Sequence, residues 1–267
     1  MLEKVIGLGP ASKTADPDRL VSSHNNGWVP PLRRVRELIY LVQEAHPQDR
    51  FFADLNITFR SSRQAYAVYR AYDRAFQCLD PDSWHDLSRK AVRHFYDHRE
   101  GQLKQGFFNQ LNEAFAYRYL LRCGHADVRV LPETRRRQPD LMFNNRGHQE
   151  CCEVKTIGIS GQEISRRSTS QVFDGSIYYE LTPQFLEKVN LAMTDALKQL
   201  HSQNASSLVY LIVNFDDFTL GYYGRYREQL SACIHAHEAP AVVAQVGLLG
   251  QRRIVKRVGA RSGNRRP

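Results

Sequence analysis

The stretch PDLMFNNRGHQECCEVKTI, residues 139–157, decides how the rest of the chain is read. Two strand-like runs, Asp140 to Phe143 and Gln149 to Ile157, flank the turn-rich Asn144-Asn145-Arg146-Gly147, the pattern of a β-hairpin. With those four residues as the loop, Phe143 pairs with His148 and Asp140 falls opposite Cys151. Side chains alternate along a strand, so Asp140, Cys151, Glu153 and Lys155 share one face while Cys152, Val154 and Thr156 point to the other. Glu153 is then the diagonal neighbour of Asp140, with Cα atoms roughly 7 to 8 Å apart.

Outward from this hairpin the patterning changes in character. Upstream, a long helix is expected from about Gln102 to Cys123, stopped by Gly124, and a strand from Val128 to Pro132. Further back, Leu32, Val35, Leu38, Ile39 and Val42 recur at three- and four-residue spacing, which predicts a helix over 32–45. Phe51 to Phe59 reads as strand-like. Tyr66, Tyr69, Tyr72 and Phe76 mark another helix, and Trp84, Leu87, Ala91, Val92 and Phe95 a further one, with Asp80-Pro81 suited to its cap and first turn. The aromatic stripe could stack on bases, but at helical spacing it reads as core. Residues 1–30, rich in Ser, Asn, Gly, Pro and Asp, read as an irregular leader. Downstream of a Ser/Gly/Arg-rich loop, Thr182 caps and Pro183 opens a helix to about Leu200. Leu208 to Phe215 is a strand buried on both faces, and Ala241 to Leu249 adds one more. No internal repeat is visible.

Composition excludes several classes. Apolar residues make up 42% and charged residues 24% of 267, which argues for a folded core and against wholesale disorder. The longest apolar run, Leu208 to Val213, is too short for a bilayer, and Gly7, Gly9 and Pro10 interrupt any signal-like start. The expectation is a cytoplasmic protein without a membrane span. Five cysteines without CxxC spacing suggest neither disulfides nor a zinc knuckle. His94 with His98, and His235 with His237, have no third ligand at zinc spacing and read as structural. The net charge of +9 is concentrated at one end: residues 251–267 carry seven basic side chains and no acid, leaving 30 basic against 28 acidic residues elsewhere. Such an end could follow phosphates or be a solvated tail.

The hairpin places chemistry on one face. Two carboxylates at that separation can share a hard divalent cation held at about 2.1 Å, and the ammonium of Lys155 lies one step further along. A metal stabilises charge on a phosphodiester's oxygens and lowers the pKa of bound water; an adjacent ammonium can orient that water or stabilise the oxyanion. Glu113 lies on a helix whose surroundings (Phe107, Phe108, Leu111, Phe115, Leu120, Leu121) are apolar almost all round, where an acid is costly unless paired.

Pro139-Asp140, twelve intervening residues, then Glu153-Val154-Lys155 resembles the signature of the PD-(D/E)xK nuclease superfamily. Its order of elements, a helix bearing a Glu before a β-meander that supplies the Asp and the (D/E)xK triplet, then a helix and a strand, is matched over roughly residues 102–220. The resemblance implies an α/β restriction-endonuclease-like core, a mixed central sheet flanked by helices, here behind a largely α-helical N-terminal region. It implies Mg2+ or Mn2+ ligated by Asp140, Glu153, the Val154 carbonyl and Glu113, with Lys155 assisting the attacking water. Glu153-Val154-Lys155 is the one (D/E)xK triplet in the chain.

The expected organisation is 1–101 helical, 102–250 nuclease-like and 251–267 a basic tail. Arg135, Arg136 and Arg137 precede the motif and Arg166 and Arg167 follow it, so both flanks are cationic and suited either to positioning phosphates or to solvated loops. The expected activity is metal-dependent hydrolysis of nucleic acid, endonucleolytic before exonucleolytic, with DNA ahead of RNA as partner and a homo-oligomer left open. The alternative is a non-catalytic nucleic-acid-binding or scaffold protein that retains the fold.

Overall fold

Apolar residues at helical spacing account for the first part of the chain. A computed structural model describes residues 32–98, 103–134, 138–158, 165–166, 169, 174–201, 206–215, 220–249 and 252–257. Helix α1 (Arg33–Ala45) buries Val35, Leu38 and Val42. Helix α2 (Leu55–Ser61) leads into α3 (Arg63–Phe76), whose first turn is capped by Ser62 accepting from the Ala65 N–H at 3.1 Å. Asp80 caps α4 (Pro81–Arg93) by accepting from the N–H groups of Asp82 and Ser83, with Pro81 in the first turn. Tyr69, Tyr72 and Phe76 are buried, so the aromatic stripe is core.

Helices α5 (Gln105–Leu111) and α6 (Glu113–Arg122) divide the expected long helix at Asn112, where the backbone keeps right-handed helical angles but tightens to bonds three residues apart, Asn112 N–H to the Asn109 carbonyl and Phe115 N–H to the Asn112 carbonyl. The buried Asn112 side chain turns outward from the helix to two partners. Its carbonyl accepts from the Tyr72 hydroxyl at 2.8 Å and its amide donates to Thr156 Oγ1 at 2.8 Å. Another expectation is corrected outright: Phe51 to Phe59 is not a strand but a turn followed by α2. Phe51 and Phe52 meet Phe95, Phe107 and Phe108 edge-on or tilted, inside a helical layer with no strand to pair with. Tertiary packing therefore overrides aromatic β-propensity here.

The sheet contains β1 (Ala126–Val130), β2 (Leu141–Asn145), β3 (His148–Ile157), β4 (Ser206–Val213), β5 (Ala241–Val246) and β6 (Arg252–Arg257), hydrogen-bonded in that order. β3, β4 and β5 are parallel, and the outer pairings are antiparallel. Parallel neighbours need crossovers, supplied by α7 (Pro183–His201) between β3 and β4 and by α8 (Tyr223–Ala236) between β4 and β5. Thr182 accepts from the Phe185 N–H at 3.2 Å at the start of α7. β5 stops at Val246 because Gly247 turns with φ +76°. Residues Arg252–Arg257, read in the sequence as the start of a tail, form the last strand.

Each face of the sheet has its own core. On one face, buried residues form a continuous cluster from Leu32 through Phe95, Phe107 and Leu141 to Cys152, Tyr210 and Val243. On the other, Cys151, Ile157, Val209 and Leu211 pack with Val189, Met193, Leu230 and Ile234 of α7 and α8. The mixed α/β class and the helix-flanked sheet agree with the reading of the sequence. Among the described residues, no helix is long and apolar enough to cross a membrane. The leader, 1–30, lies outside the described residues.

Candidate active site

The hairpin is tighter than its sequence suggested. Asn145 pairs with His148, leaving a two-residue turn, Arg146-Gly147, rather than four. Both turn residues have positive φ, 54° and 86°, the geometry whose twist matches that of the flanking strands; the Asn144 carboxamide accepts from the Gly147 N–H at 2.8 Å. The register moves by two residues, so the alternation of faces is unchanged. Leu141 pairs with Cys152, which carries Asp140 to the position opposite Glu153 instead of Cys151. The two acids are direct cross-strand neighbours.

β2 begins at Leu141, so beyond Cys152 the corresponding edge of β3 has no strand beside it, while β3 stays paired with β4 to Ile157. Asp140 takes over this edge: its Oδ2 accepts from the Val154 N–H at 2.7 Å. The N–H and C=O of one residue in an extended strand point the same way, so the Val154 carbonyl is directed to the same open edge.

Glu153 is 1% exposed. Lys155 Nζ donates to Glu153 Oε1 at 2.7 Å and to Gln199 Oε1 of α7 at 2.5 Å. The second oxygen, Glu153 Oε2, is buried and has no hydrogen-bond partner among the described residues. A buried carboxylate oxygen without a donor is costly. Burial and the neighbouring Asp140 carboxylate push Glu153 up to about 8, against the pull of Lys155 and, last in size, of the Asp140 backbone N–H, which lies near the carboxylate without making a hydrogen bond of good geometry to Oε2. Asp140 is also raised, by desolvation of its carboxyl, although Lys90, the Val154 N–H and Lys155 oppose the shift.

Glu113, 2% exposed, pairs with Lys90 of α4 at 2.5 Å, and both side chains are almost wholly buried. Burial and then the charge of Asp140 hold Glu113 well above the usual carboxylate range, and Lys90 pulls it back only in part. Asp140 thus raises the proton affinity of both Glu153 and Glu113, and Glu153 adds to the rise at Glu113, while Lys90 and Lys155 oppose these shifts. Among the described residues, no group of three or more His, Cys, Asp or Glu side chains is placed to hold a metal ion. Asp140 and Glu153 adjoin each other; Glu113 is engaged by Lys90.

Comparisons with known proteins leave the site to speak for itself. No family model, curated protein or solved structure matches the chain.

Of the flanking cations, Arg166 lies over the Tyr178 ring, 5.6 Å from its centroid. Arg135, Arg136, Arg137 and Arg167 lie outside the described residues. Lys90 and Gln199 were not anticipated. Lys90 had a visible signal: it falls three residues after Leu87 and next to Ala91, on the apolar stripe of α4, where an ammonium demands a partner. Gln199 had none, because its contact with Lys155 depends on how α7 lies across the sheet. His94 contacts Asp97 and Glu133 rather than His98.

Proposed function

We propose that the chain is a divalent-metal-dependent nuclease with a restriction-endonuclease-like core, acting on DNA in preference to RNA. The observation that carries this reading is the unpartnered, buried Oε2 of Glu153 beside Asp140, at an open strand edge, with Lys155 on the other oxygen. The donor set consists of hard oxygens, two carboxylates and a directed carbonyl, which suits Mg2+ or Mn2+. Asp140, Glu153 and the Val154 carbonyl would hold the ion, and Glu113 would join them only on release from Lys90. Bound there, the ion would draw charge from a phosphoryl group and lower the pKa of water.

The chain's own groups do the rest. The Val154 N–H fixes the orientation of Asp140, and Gln199 fixes Lys155, so neither side chain must be ordered when substrate arrives. The Lys155 ammonium, 26% exposed, can donate to an attacking water or to a developing oxyanion. The Lys90 ammonium balances part of the negative charge from the helical side.

The test is cleavage of plasmid and of single- and double-stranded oligonucleotides in Mg2+ and Mn2+. Lys155→Ala and Asp140→Ala should each lower the rate by about 10²–10³-fold with melting curves that still show a folded protein. Undiminished cleavage by both variants would remove the assignment. Binding without cleavage in the parent chain, insensitive to metal, would favour the scaffold alternative.

A further inference from the structure

On the helical face of the molecule, the C-terminal parts of α3 and α6 border an open concavity of about 530 Å³ lined by Arg74, Gln77, Cys78, Arg118, Leu121 and Arg122. Three of its six lining residues carry guanidinium groups. No acid lines it. Among the described residues, no hydrogen bond or ion pair ties down the side chains of Arg74, Arg118 or Arg122, unlike the exposed Arg93, which pairs with Glu133 at 2.8 Å. A fourth arginine, Arg253 of β6, lies over the Tyr119 ring at 5.3 Å and adds its charge to the same neighbourhood. Burial, then Arg122, Arg74 and Arg253, hold Arg118 below the ordinary arginine range.

Helix carboxyl ends favour cations, but that does not explain guanidiniums from two helices converging on one concavity whose lining holds no acid; the neighbouring Asp73 carboxylate is taken up by the Gln77 amide and by the Arg34 and Val35 N–H groups of α1. Like charges brought together at a half-buried position repel, and an anion in their midst converts the repulsion into attraction. Guanidinium forks match the paired oxygens of a phosphate group better than those of a halide or a single hydroxyl. Gln77, at the rim, donates its amide to the Asp73 carboxylate at 2.5 Å.

We infer that Arg74, Arg118 and Arg122 form a phosphate-binding pocket, separate from the carboxylate site and independent of whether that site cleaves anything. The phosphate is either a free phosphoanion or one group of a nucleic-acid backbone. Titration calorimetry with inorganic pyrophosphate and anisotropy with a fluorescent single-stranded oligonucleotide separate the two sources. Arg74 and Arg122 are exposed, so Arg74→Gln with Arg122→Gln leaves the core untouched; a melting curve checks this, and Arg118→Lys, which keeps the charge but loses the fork, is the second variant.

The double variant should weaken binding by about tenfold or more in at least one arm, and Arg118→Lys should weaken the same arm. Loss in the pyrophosphate arm identifies a free phosphoanion; loss confined to the oligonucleotide arm identifies a backbone phosphate. Lys198→Gln with Arg227→Gln removes the same charge from α7 and α8 on the opposite face and should leave both arms unchanged. Equal losses in that control, or unchanged binding in the pocket variants, would overturn the inference.

Discussion

Glu153 shows what a single buried acid does to the whole chain's stability. Its carboxyl holds a proton up to about pH 8 in the folded protein, while in the unfolded chain it releases it near pH 4.3. Between those values the native state binds more protons, so rising pH favours unfolding. Glu113 and Asp140 are shifted in the same direction and add to the slope. In a chelator, the melting temperature should therefore fall from about pH 5 to pH 8, and Glu153→Gln should make the fall shallower. A flat or rising profile in the parent chain would show that these acids are ionised in the folded state. At this scale much was legible. Asp140, Glu153 and Lys155 stand out in the sequence because acids and an amine sit in an otherwise strand-forming run, and Glu113 because its helix is apolar around it. What was illegible was Glu113's partner, since Lys90 comes from another helix and only the packing of α4 against the α5–α6 segment makes them meet.

Elements obeyed local rules where local forces dominate. The caps at Asp80 and Thr182, and the amphipathic stripes of α1, α3 and α7, are written in adjacent residues and appear where expected. The failures lie where distant contacts decide. Phe51 to Phe59 looks like a strand in isolation, yet it enters a ring cluster among helices. The hairpin loop shortened because a turn with positive φ at both central residues suits the twist of its strands. The break between α5 and α6 is the clearest case. Asn112 looks unremarkable in sequence, but it joins Tyr72 of α3 to Thr156 of β3 and so fixes the helical layer against the strand that carries Glu153 and Lys155. Asn112→Ala would leave the buried Tyr72 hydroxyl without its acceptor and should cost about 2 kcal/mol or more, given 1–3 kcal/mol per stranded polar group. Urea denaturation at constant slope would read this as a lowered midpoint, and an unchanged midpoint would mean the bridge contributes nothing.

For the molecule as a whole, the division at residue 102 suggested by the change of patterning is not a division of the core. Buried residues from Leu32 to Val243 form one cluster, so the early helices cover a face of the sheet that would otherwise meet water. Unfolding should accordingly be a single transition. Fluorescence of a Trp28→Phe variant, which leaves Trp84 of α4 as the one tryptophan, and far-ultraviolet circular dichroism, dominated by the full set of helices, should give coincident denaturation curves. A separate early loss of the tryptophan signal would show that the helical layer melts on its own. The sequence could not reveal this continuity, because a helix stripe states that it needs a partner and not which one.

The two rims of the sheet carry one more consequence. β1 is distorted, with Asp127 at φ 51° and a shift in its pairing to β2, while β6 places Arg252, Arg253 and Lys256 within five residues. A kinked border and a cationic border are both poor templates for annealing to a second copy. The arginines that look like an invitation to polyanions are thus equally a guard against fibrils, and a polyanion that masks them takes that guard away.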